Sequence, residues 1–134
     1  MSYVNNGSDI YKESFRITRE EADLARFPAD VERVVVRMIH AAADPAIAGD
    51  IAFTPGVVEA TRRALASGAN ILCDSSMTAT GIIRSRLPEG VQVVCHIKEP
   101  HLAELAKRND TTKTCAAVDL WAAEDHLDLS LIHI

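Results

Sequence analysis

His40 is the residue of this sequence with the clearest capacity for acid–base chemistry. It lies at the C-terminal end of a predicted helix whose apolar stripe runs from Val31 to Ile39. The partial negative charge at a helix C-terminus favours the imidazolium form, which donates a proton or a hydrogen bond. The alternative is a capping role, in which the ring bonds free carbonyl groups of the last turn. The residues alone leave both roles open.

A run of hydroxyl-bearing residues and one cation, Thr111-Thr112-Lys113-Thr114, begins a helix predicted over residues 111–125. Free backbone N–H groups, hydroxyls and the ammonium group converge at such a helix start. Together they form a site for an anion or a carboxylate. The alternative is plain helix capping, with the lysine solvated.

Asp74 ends a short apolar run, residues 70–74, that predicts a buried parallel strand. Ligands of open α/β sheets bind at the carboxyl ends of the strands, which makes Asp74 a candidate binding residue. The alternative is that Asp74 caps the short helix predicted from Ser75 to Gly81.

The histidines and cysteines do not form a metal-binding pattern. His96 and His101 are five residues apart, and the sequence contains no H-E-x-x-H or C-x-x-C signature. Cys73, Cys95 and Cys115 are widely spaced, and we interpret them as reduced thiols of a cytoplasmic protein. The sequence also lacks a phosphate-binding loop, a nucleophile elbow and a dinucleotide fingerprint. We therefore expect no metal site.

An α/β fold is predicted to position these residues. The 134 residues suffice for one domain, and helical patterns alternate with short apolar strands at 70–74 and 91–97. The first helix is expected over residues 8–26 with Ser8 as its cap, and a later one over 100–109. We predict an α/β domain built around a mostly parallel sheet.

Charge and hydropathy exclude several classes of protein. The chain has 14 basic and 19 acidic residues and a net charge of -5, which disfavours a general nucleic-acid binder. Its apolar runs are too short to span a membrane, and residues 1–6 lack the pattern of a signal peptide. We therefore expect a cytoplasmic protein that contacts neither nucleic acid nor a membrane.

Several short motifs give the sequence a family resemblance over residues 3–127. In chain order they are Ile10-Tyr11-Lys12-Glu13-Ser14-Phe15, Glu21-Ala22-Asp23-Leu24, Val36-Arg37-Met38-Ile39-His40, Gly68-Ala69-Asn70-Ile71-Leu72-Cys73-Asp74, Met77 with Gly81-Ile82, Ser85-Arg86-Leu87-Pro88 and Thr111-Thr112-Lys113-Thr114. Their order and spacing together resemble the precorrin-8X methylmutase family of cobalamin (vitamin B12) biosynthesis.

The resemblance implies an isomerase that moves a methyl group from ring carbon 11 to ring carbon 12 of a corrin precursor without a cofactor. The substrate would be precorrin-8X or its cobalt-containing form, cobalt-precorrin-8. The product would be hydrogenobyrinic acid or cobyrinic acid. His40 matches the family histidine that protonates or hydrogen-bonds a ring nitrogen.

The resemblance also assigns binding residues. Tyr11 and Ser14 match positions that line the substrate pocket. Because the substrate carries many carboxylates, we expect Thr112, Lys113 and Thr114 to bind it, with Asp74 as a further binding residue. The family usually has Arg-Ser where this chain has Lys113-Thr114, which keeps the charge and the hydroxyl but loses bidentate carboxylate pairing.

Two further expectations concern assembly and activity. The resemblance implies a homodimer whose pockets lie close to the subunit contact. The alternative to an enzyme is a non-catalytic tetrapyrrole-binding module, or an inactive fragment, that uses the same pocket.

Residues 129–134 do not continue the helical pattern that precedes them. The hexapeptide Leu129-Ser130-Leu131-Ile132-His133-Ile134 is the in-frame translation of a transposon-end adapter used in sequencing libraries. We predict that residues 1–128 are part of a methylmutase domain and that residues 129–134 derive from adapter, the alternative being an ordinary final strand. Because family members continue beyond this point, the resemblance implies a three-layer fold whose central, mostly parallel sheet is truncated at the C-terminus. We therefore expect little or no turnover from this chain alone.

Overall fold

The chain divides into two units, Met1–Val58 and Glu59–Ile134. A computed structural model describes residues 5–123 and 129–131. Across these described ranges, no helix combines the length and the apolar character that a membrane crossing requires.

Two α-helices dominate the first unit. α1 spans Gly7–Glu21, α2 spans Ala29–Ala42, and a 3-10 helix follows at Pro45–Gly49. The prediction that Ser8 caps the first helix is wrong, because the side chain of Asn6 accepts the hydrogen bond from the backbone N–H of Ser8 at 2.9 Å. α1 is also shorter than the predicted 8–26, since the backbone becomes extended at Ala22.

The core of the first unit lies along one face of α2. Val31, Val35 and Ile39 recur every four residues, which places them on a single stripe of the helix. They pack with Phe27 and Ala48, and the side chains of Val35 and Ile39 are almost completely buried. This packing fixes the rotation of α2 and so determines which way the side chain of His40 points.

Arg26 ties the segment after α2 to this core. Its Nη2 donates to the backbone carbonyl of Ala48 at 2.6 Å and also to that of Ile51. Its guanidinium lies 4.3 Å from the centre of the Phe27 ring. One exposed arginine therefore binds several backbone carbonyl groups of this segment and covers an aromatic core residue.

The second unit contains most of the remaining elements. Its first helix, α3, spans Val57–Ala66 and begins two residues before the unit itself, which starts at Glu59. The helices and strands that follow are β1 Ile71–Cys73, α4 Ser76–Gly81, β2 Val93–Val94, α5 Leu102–Arg108, α6 Lys113–Asp119 and β3 Leu129–Leu131. Short 3-10 helices lie at Arg84–Arg86, His96–Lys98 and Leu120–Ala123.

The three strands form a parallel sheet in the order β2-β1-β3. β1 is buried along its whole length, as expected for the central strand of a parallel sheet. The α/β class with a parallel sheet is therefore confirmed. The strand predicted over 91–97 is much shorter, since only Val93–Val94 pair and the backbone turns into a 3-10 helix at His96.

Two clusters of apolar side chains stabilise the second unit. One face of the sheet contributes Ile71 and Cys73, which pack with Ala79 of α4. The other cluster joins α5 to α6, where Leu102 packs against Ala106, Ala116 and Ala117. The small side chains of Ala106, Ala116 and Ala117 allow this close approach of the two helices.

Residues 129–131 pair with β1 as β3, and Leu129 packs against the sheet cluster. The predicted boundary at residue 128 and residues 132–134 lie outside the described residues. The origin of residues 129–134 stays a prediction about the source DNA.

Candidate active site

α1 and α2 bring together three of the predicted site residues: Tyr11, Ser14 and His40. The Ser14 Oγ lies 2.7 Å from Nδ1 of His40, although the two residues are 26 positions apart. The Tyr11 ring centre is 5.2 Å from that of His40, at an interplanar angle of 45°. Tyr11 and Ser14 are three residues apart on α1, so both reach the same side of α2.

His40 occupies the last turn of α2, as the sequence predicts. Its hydrogen-bond partner in the described part of the chain is the hydroxyl of Ser14 and not a carbonyl of its own helix. The side chain is half-buried. The capping alternative therefore does not describe this histidine, whose ring is oriented by a side chain of the neighbouring helix.

Two residues that sequence reasoning missed complete the surroundings of His40. The Phe15 ring meets the imidazole edge-on, with centres 5.2 Å apart and an interplanar angle of 85°. The guanidinium of Arg37 lies 5.3 Å from the centre of the Phe15 ring. Phe15 is one turn after Tyr11 on α1 and Arg37 is one turn before His40 on α2, but this spacing does not by itself predict a contact between the two helices.

The two helices are also joined by an ion pair. Nε of Arg19 on α1 lies 2.9 Å from a carboxylate oxygen of Glu32 on α2. The pair is partly exposed and contributes little stability by itself, but it fixes the same register as the Ser14–His40 contact.

A groove of about 470 Å³ opens beside His40. Its lining is mainly apolar, from Ile10, Ile17, Ile39 and Pro45, together with Ser14 and His40. Glu13 and Glu21 add two carboxylates. The groove can hold an apolar edge of a ligand against the imidazole, while the carboxylates disfavour an anionic group there.

The geometry defines which ring nitrogen of His40 can reach a ligand. Nδ1 faces the Ser14 hydroxyl, and within residues 5–123 and 129–131 no protein group bonds Nε2. If the hydroxyl donates to Nδ1, Nε2 carries the proton of the neutral ring; if Nδ1–H donates to the hydroxyl, Nε2 of the neutral ring is an acceptor. In the charged ring both nitrogens carry protons, so Nε2 is a donor in the first case and in the charged ring.

Asp74 directly follows β1 and is almost completely buried, with 2% of its surface exposed. It does not cap α4. That role belongs to Ser75, whose Oγ accepts from the backbone N–H of Thr78 at 3.2 Å. Asp74 therefore lies at the carboxyl end of the central strand, where parallel sheets bind ligands.

Thr112, Lys113 and Thr114 open α6 in the second unit. Thr112 is the helix cap, because its Oγ1 accepts from the backbone N–H of Cys115 at 3.1 Å. Lys113 and Thr114 are exposed. The helix begins two residues later than predicted and continues as a 3-10 turn after Asp119, while the predicted end at 125 lies outside the described residues.

Hydrogen bonds from the side chains of Thr112 and Thr111 lower the pKa of the Cys115 thiol. In contrast, burial raises the pKa of Cys73, with a smaller contribution from Cys95. Among the described residues, no group of three or more histidine, cysteine, aspartate or glutamate side chains is placed to hold a metal ion.

The structure thus joins Tyr11, Ser14 and His40 into one site in the first unit. Asp74 and the residues of the α6 start lie in the second unit, on separate elements.

Comparisons with known proteins agree on one family. The family model described as precorrin-8X methylmutase matches residues 9–132. A curated precorrin-8X methylmutase of Pseudomonas aeruginosa is 41% identical over 134 residues, covering 100% of this chain and 64% of the relative. A cobalt-precorrin-8 methylmutase of Methanothermobacter thermautotrophicus is 33% identical over 124 residues, covering 90% of this chain and 56% of the relative.

Solved structures show the same relationship. The precorrin-8X methylmutase of Thermus thermophilus superposes with a TM-score of 0.77 at 36% identity, covering 94% of this chain and 61% of that one. A precorrin-8X methylmutase related protein gives a TM-score of 0.75 at 30% identity, covering 88% and 60%. The chain spans about 60% of the length of these relatives. By sequence and by fold, the chain belongs to the precorrin-8X methylmutase family.

Proposed function

We propose that this chain forms part of an isomerase of cobalamin biosynthesis that acts on precorrin-8X or on cobalt-precorrin-8. The reaction moves a methyl group from ring carbon 11 to ring carbon 12 of the macrocycle and gives hydrogenobyrinic or cobyrinic acid. The observation that carries the proposal is the Ser14–His40 contact, which holds the imidazole at Nδ1 where His40 lines an apolar groove.

His40 is the proposed catalytic residue. Its Nε2 donates a proton or a hydrogen bond to a ring nitrogen of the substrate, which draws electron density from the π system and eases the methyl shift. The methyl group migrates within one molecule, so the proton returns to His40 at the end and nothing else is consumed. Ser14 holds the ring, which keeps the donor in place before substrate arrives.

Tyr11 and the groove would hold the substrate near His40. Tyr11 is 55% exposed and offers an aromatic face to a planar macrocycle. The groove is apolar and flanked by Glu13 and Glu21, so we place a methyl-bearing edge there and the carboxylates of the substrate elsewhere.

Carboxylate binding is assigned to the residues that open α6, from their chemistry and the family resemblance. Lys113 is exposed, and with the hydroxyls of Thr112 and Thr114 it forms a cationic, hydrogen-bonding group at the start of α6. A local cation is needed because the chain as a whole carries a net charge of -5. Asp74 would bind a protonated or N–H group of the macrocycle, since a buried carboxylate accepts hydrogen bonds.

The proposal includes a homodimer in the cytoplasm. Ile10 and Tyr11 of α1 leave half of their surfaces exposed beside His40, which a second copy would cover. The three cysteines are free thiols, as a reducing compartment favours. Sedimentation equilibrium tests the dimer.

A chimera tests the activity. In the chimera, this chain replaces the matching 64% of the Pseudomonas aeruginosa relative. Conversion of precorrin-8X is measured by the change in its absorption spectrum, and the product should have the same mass as the substrate. We expect conversion by the chimera and a loss of about 100-fold or more in its His40→Asn variant, the size of a general-acid contribution. The control is His101→Asn, because 91% of the His101 side chain is exposed in the second unit.

The outcomes separate the alternatives. If His40→Asn converts precorrin-8X at the rate of the parent chimera, His40 is not the proton donor. If the chimera binds precorrin-8X in equilibrium dialysis but never converts it, the protein is a tetrapyrrole-binding module.

A further inference from the structure

The hydrogen bond between the Ser14 hydroxyl and Nδ1 leaves the His40 ring free to rotate about that atom. A single contact at Nδ1 fixes the position of that atom but permits the imidazole to rock about it. A donor at Nε2 needs the whole ring plane to be fixed, since the direction of the N–H bond turns with the plane.

Aromatic side chains of α1 restrict this motion. Phe15 meets the imidazole at 85° and Tyr11 meets it at 45°, each with ring centres 5.2 Å apart. The Tyr11 and Phe15 rings also contact one another at 5.9 Å. The orientation of the imidazole therefore depends on the orientation of the Phe15 ring.

Phe15 is in turn held by a cation. The Arg37 guanidinium lies 5.3 Å from the centre of the Phe15 ring, within the range of a cation–π contact. Within the described part of the chain, no carboxylate forms an ion pair with Arg37. Arg37 and His40 are one turn apart on α2, so the cation and the imidazole lie on the same side of the helix that packs on α1.

We infer that Arg37 is a positioning residue for His40 and that it acts through Phe15. The guanidinium fixes the phenyl ring, and the phenyl ring fixes the plane of the imidazole that Ser14 holds at one nitrogen. Only the consequence of these contacts, a correctly oriented proton donor, rests on the proposed function. The contacts from Arg37 to Phe15 to His40 are present in the protein without substrate.

The tautomer ratio of His40 tests the inference. In the ¹⁵N-labelled chain at alkaline pH, where imidazoles are neutral, the ring nitrogen shifts report which nitrogen carries the proton. His40→Gln identifies the resonances, and Ser14→Ala gives the ratio without the serine hydrogen bond. We expect Arg37→Gln to move the ratio toward the Ser14→Ala value by about two- to fivefold, the range of an exposed cation–π contact.

A double-mutant cycle separates a path through Phe15 from a direct effect of charge. Phe15→Leu should move the ratio as Arg37→Gln does, and the double variant should move it no further. Arg37→Lys retains a cation and should preserve most of the wild-type ratio. The exposed His101 should keep its own ratio in every variant.

Two results would overturn the inference. The first is an unchanged tautomer ratio in Arg37→Gln, which is sufficient by itself. Because Arg37 is exposed, we expect this variant to remain folded even if Phe15→Leu does not. An Arg37→Gln effect that persists in the Phe15→Leu background would show that Phe15 does not transmit it. Because no substrate is present, a chimera that fails to convert precorrin-8X would disprove the proposed function and leave this measurement standing.

Discussion

The hydroxyl of Ser14 on α1 lies 2.7 Å from Nδ1 of His40 on α2 and is the hydrogen bond that ties the imidazole to the neighbouring helix. It joins two helices that also share the Arg19–Glu32 ion pair. The first prediction concerns this contact.

Ser14→Ala is expected to lower kcat of the chimera with precorrin-8X by about three- to tenfold, the contribution of one hydrogen bond. KM should change less than kcat, because the hydroxyl orients His40 and does not bind the charged groups of the substrate. Ser14→Thr retains the hydroxyl and should recover part of the rate. An unchanged kcat in a folded Ser14→Ala variant would contradict the proposed role.

Lys113→Ala is expected to raise KM for precorrin-8X about two- to fivefold, as loss of an exposed ion pair would. The effect should shrink at high ionic strength, because salt screens exposed charges. The matched control is Lys98→Ala at the end of the 3-10 helix His96–Lys98, whose side chain is also exposed. Equal KM changes for the two lysines would mean that α6 has no special part in binding.

Leu102→Ala is expected to lower the free energy of unfolding by about 2–5 kcal/mol, because it leaves a cavity between α5 and α6. Leu102 is 1% exposed and packs with Ala106, Ala116 and Ala117, whose small side chains cannot fill the space. Leu105→Ala is the control, since Leu105 is only half-buried. Urea unfolding measures both, and a smaller loss for Leu102→Ala than for Leu105→Ala would refute the assignment of the core.

The cysteines should react with iodoacetamide in the order Cys115, then Cys73. The thiolate is the nucleophile, so a lowered pKa increases the reactive fraction at neutral pH and a raised pKa decreases it. The Thr112 and Thr111 hydroxyls lower the pKa of the exposed Cys115, whereas burial raises that of Cys73. Peptide mass spectrometry after a short pulse gives the order, and Thr112→Val should slow the alkylation of Cys115.

Ala43→Gly is expected to stabilise the first unit by about 1 kcal/mol, because a side chain disfavours the left-handed conformation. Ala43 ends α2 with φ 54° and ψ 30°. Thermal unfolding measures the gain, and Ala41→Gly, within the helix, should instead destabilise. A lower Tm for Ala43→Gly would contradict this interpretation.

Local patterns predicted much of the framework and less of the site. The apolar run at 70–74 correctly indicated the buried central strand, and the stripe from Val31 to Ile39 placed His40 in the last turn of α2. The first helix ends early because Ala22 and Leu24 pack against the core cluster of the first unit. Such a tertiary contact leaves no periodic signal in the sequence.

The site itself depends on contacts between helices. The resemblance identified Tyr11, Ser14 and His40, but Phe15 and Arg37 enter through packing of α1 on α2. An aromatic residue at helical spacing is ordinarily a core residue, so its contact with a histidine 25 positions later could not be deduced from local pattern.

The contacts of Arg26 influence how the first unit unfolds locally. Its guanidinium satisfies the carbonyls of Ala48 and Ile51 together, in the turn that follows α2, while it covers Phe27. When this one side chain leaves, both carbonyls lose their donor at the same moment and an aromatic core residue is uncovered. Native-state hydrogen exchange should therefore find that residues 45–53 open together with the core around Phe27 as one cooperative unit. Arg26, which lies 22 positions before Ala48 in the sequence, would control this opening.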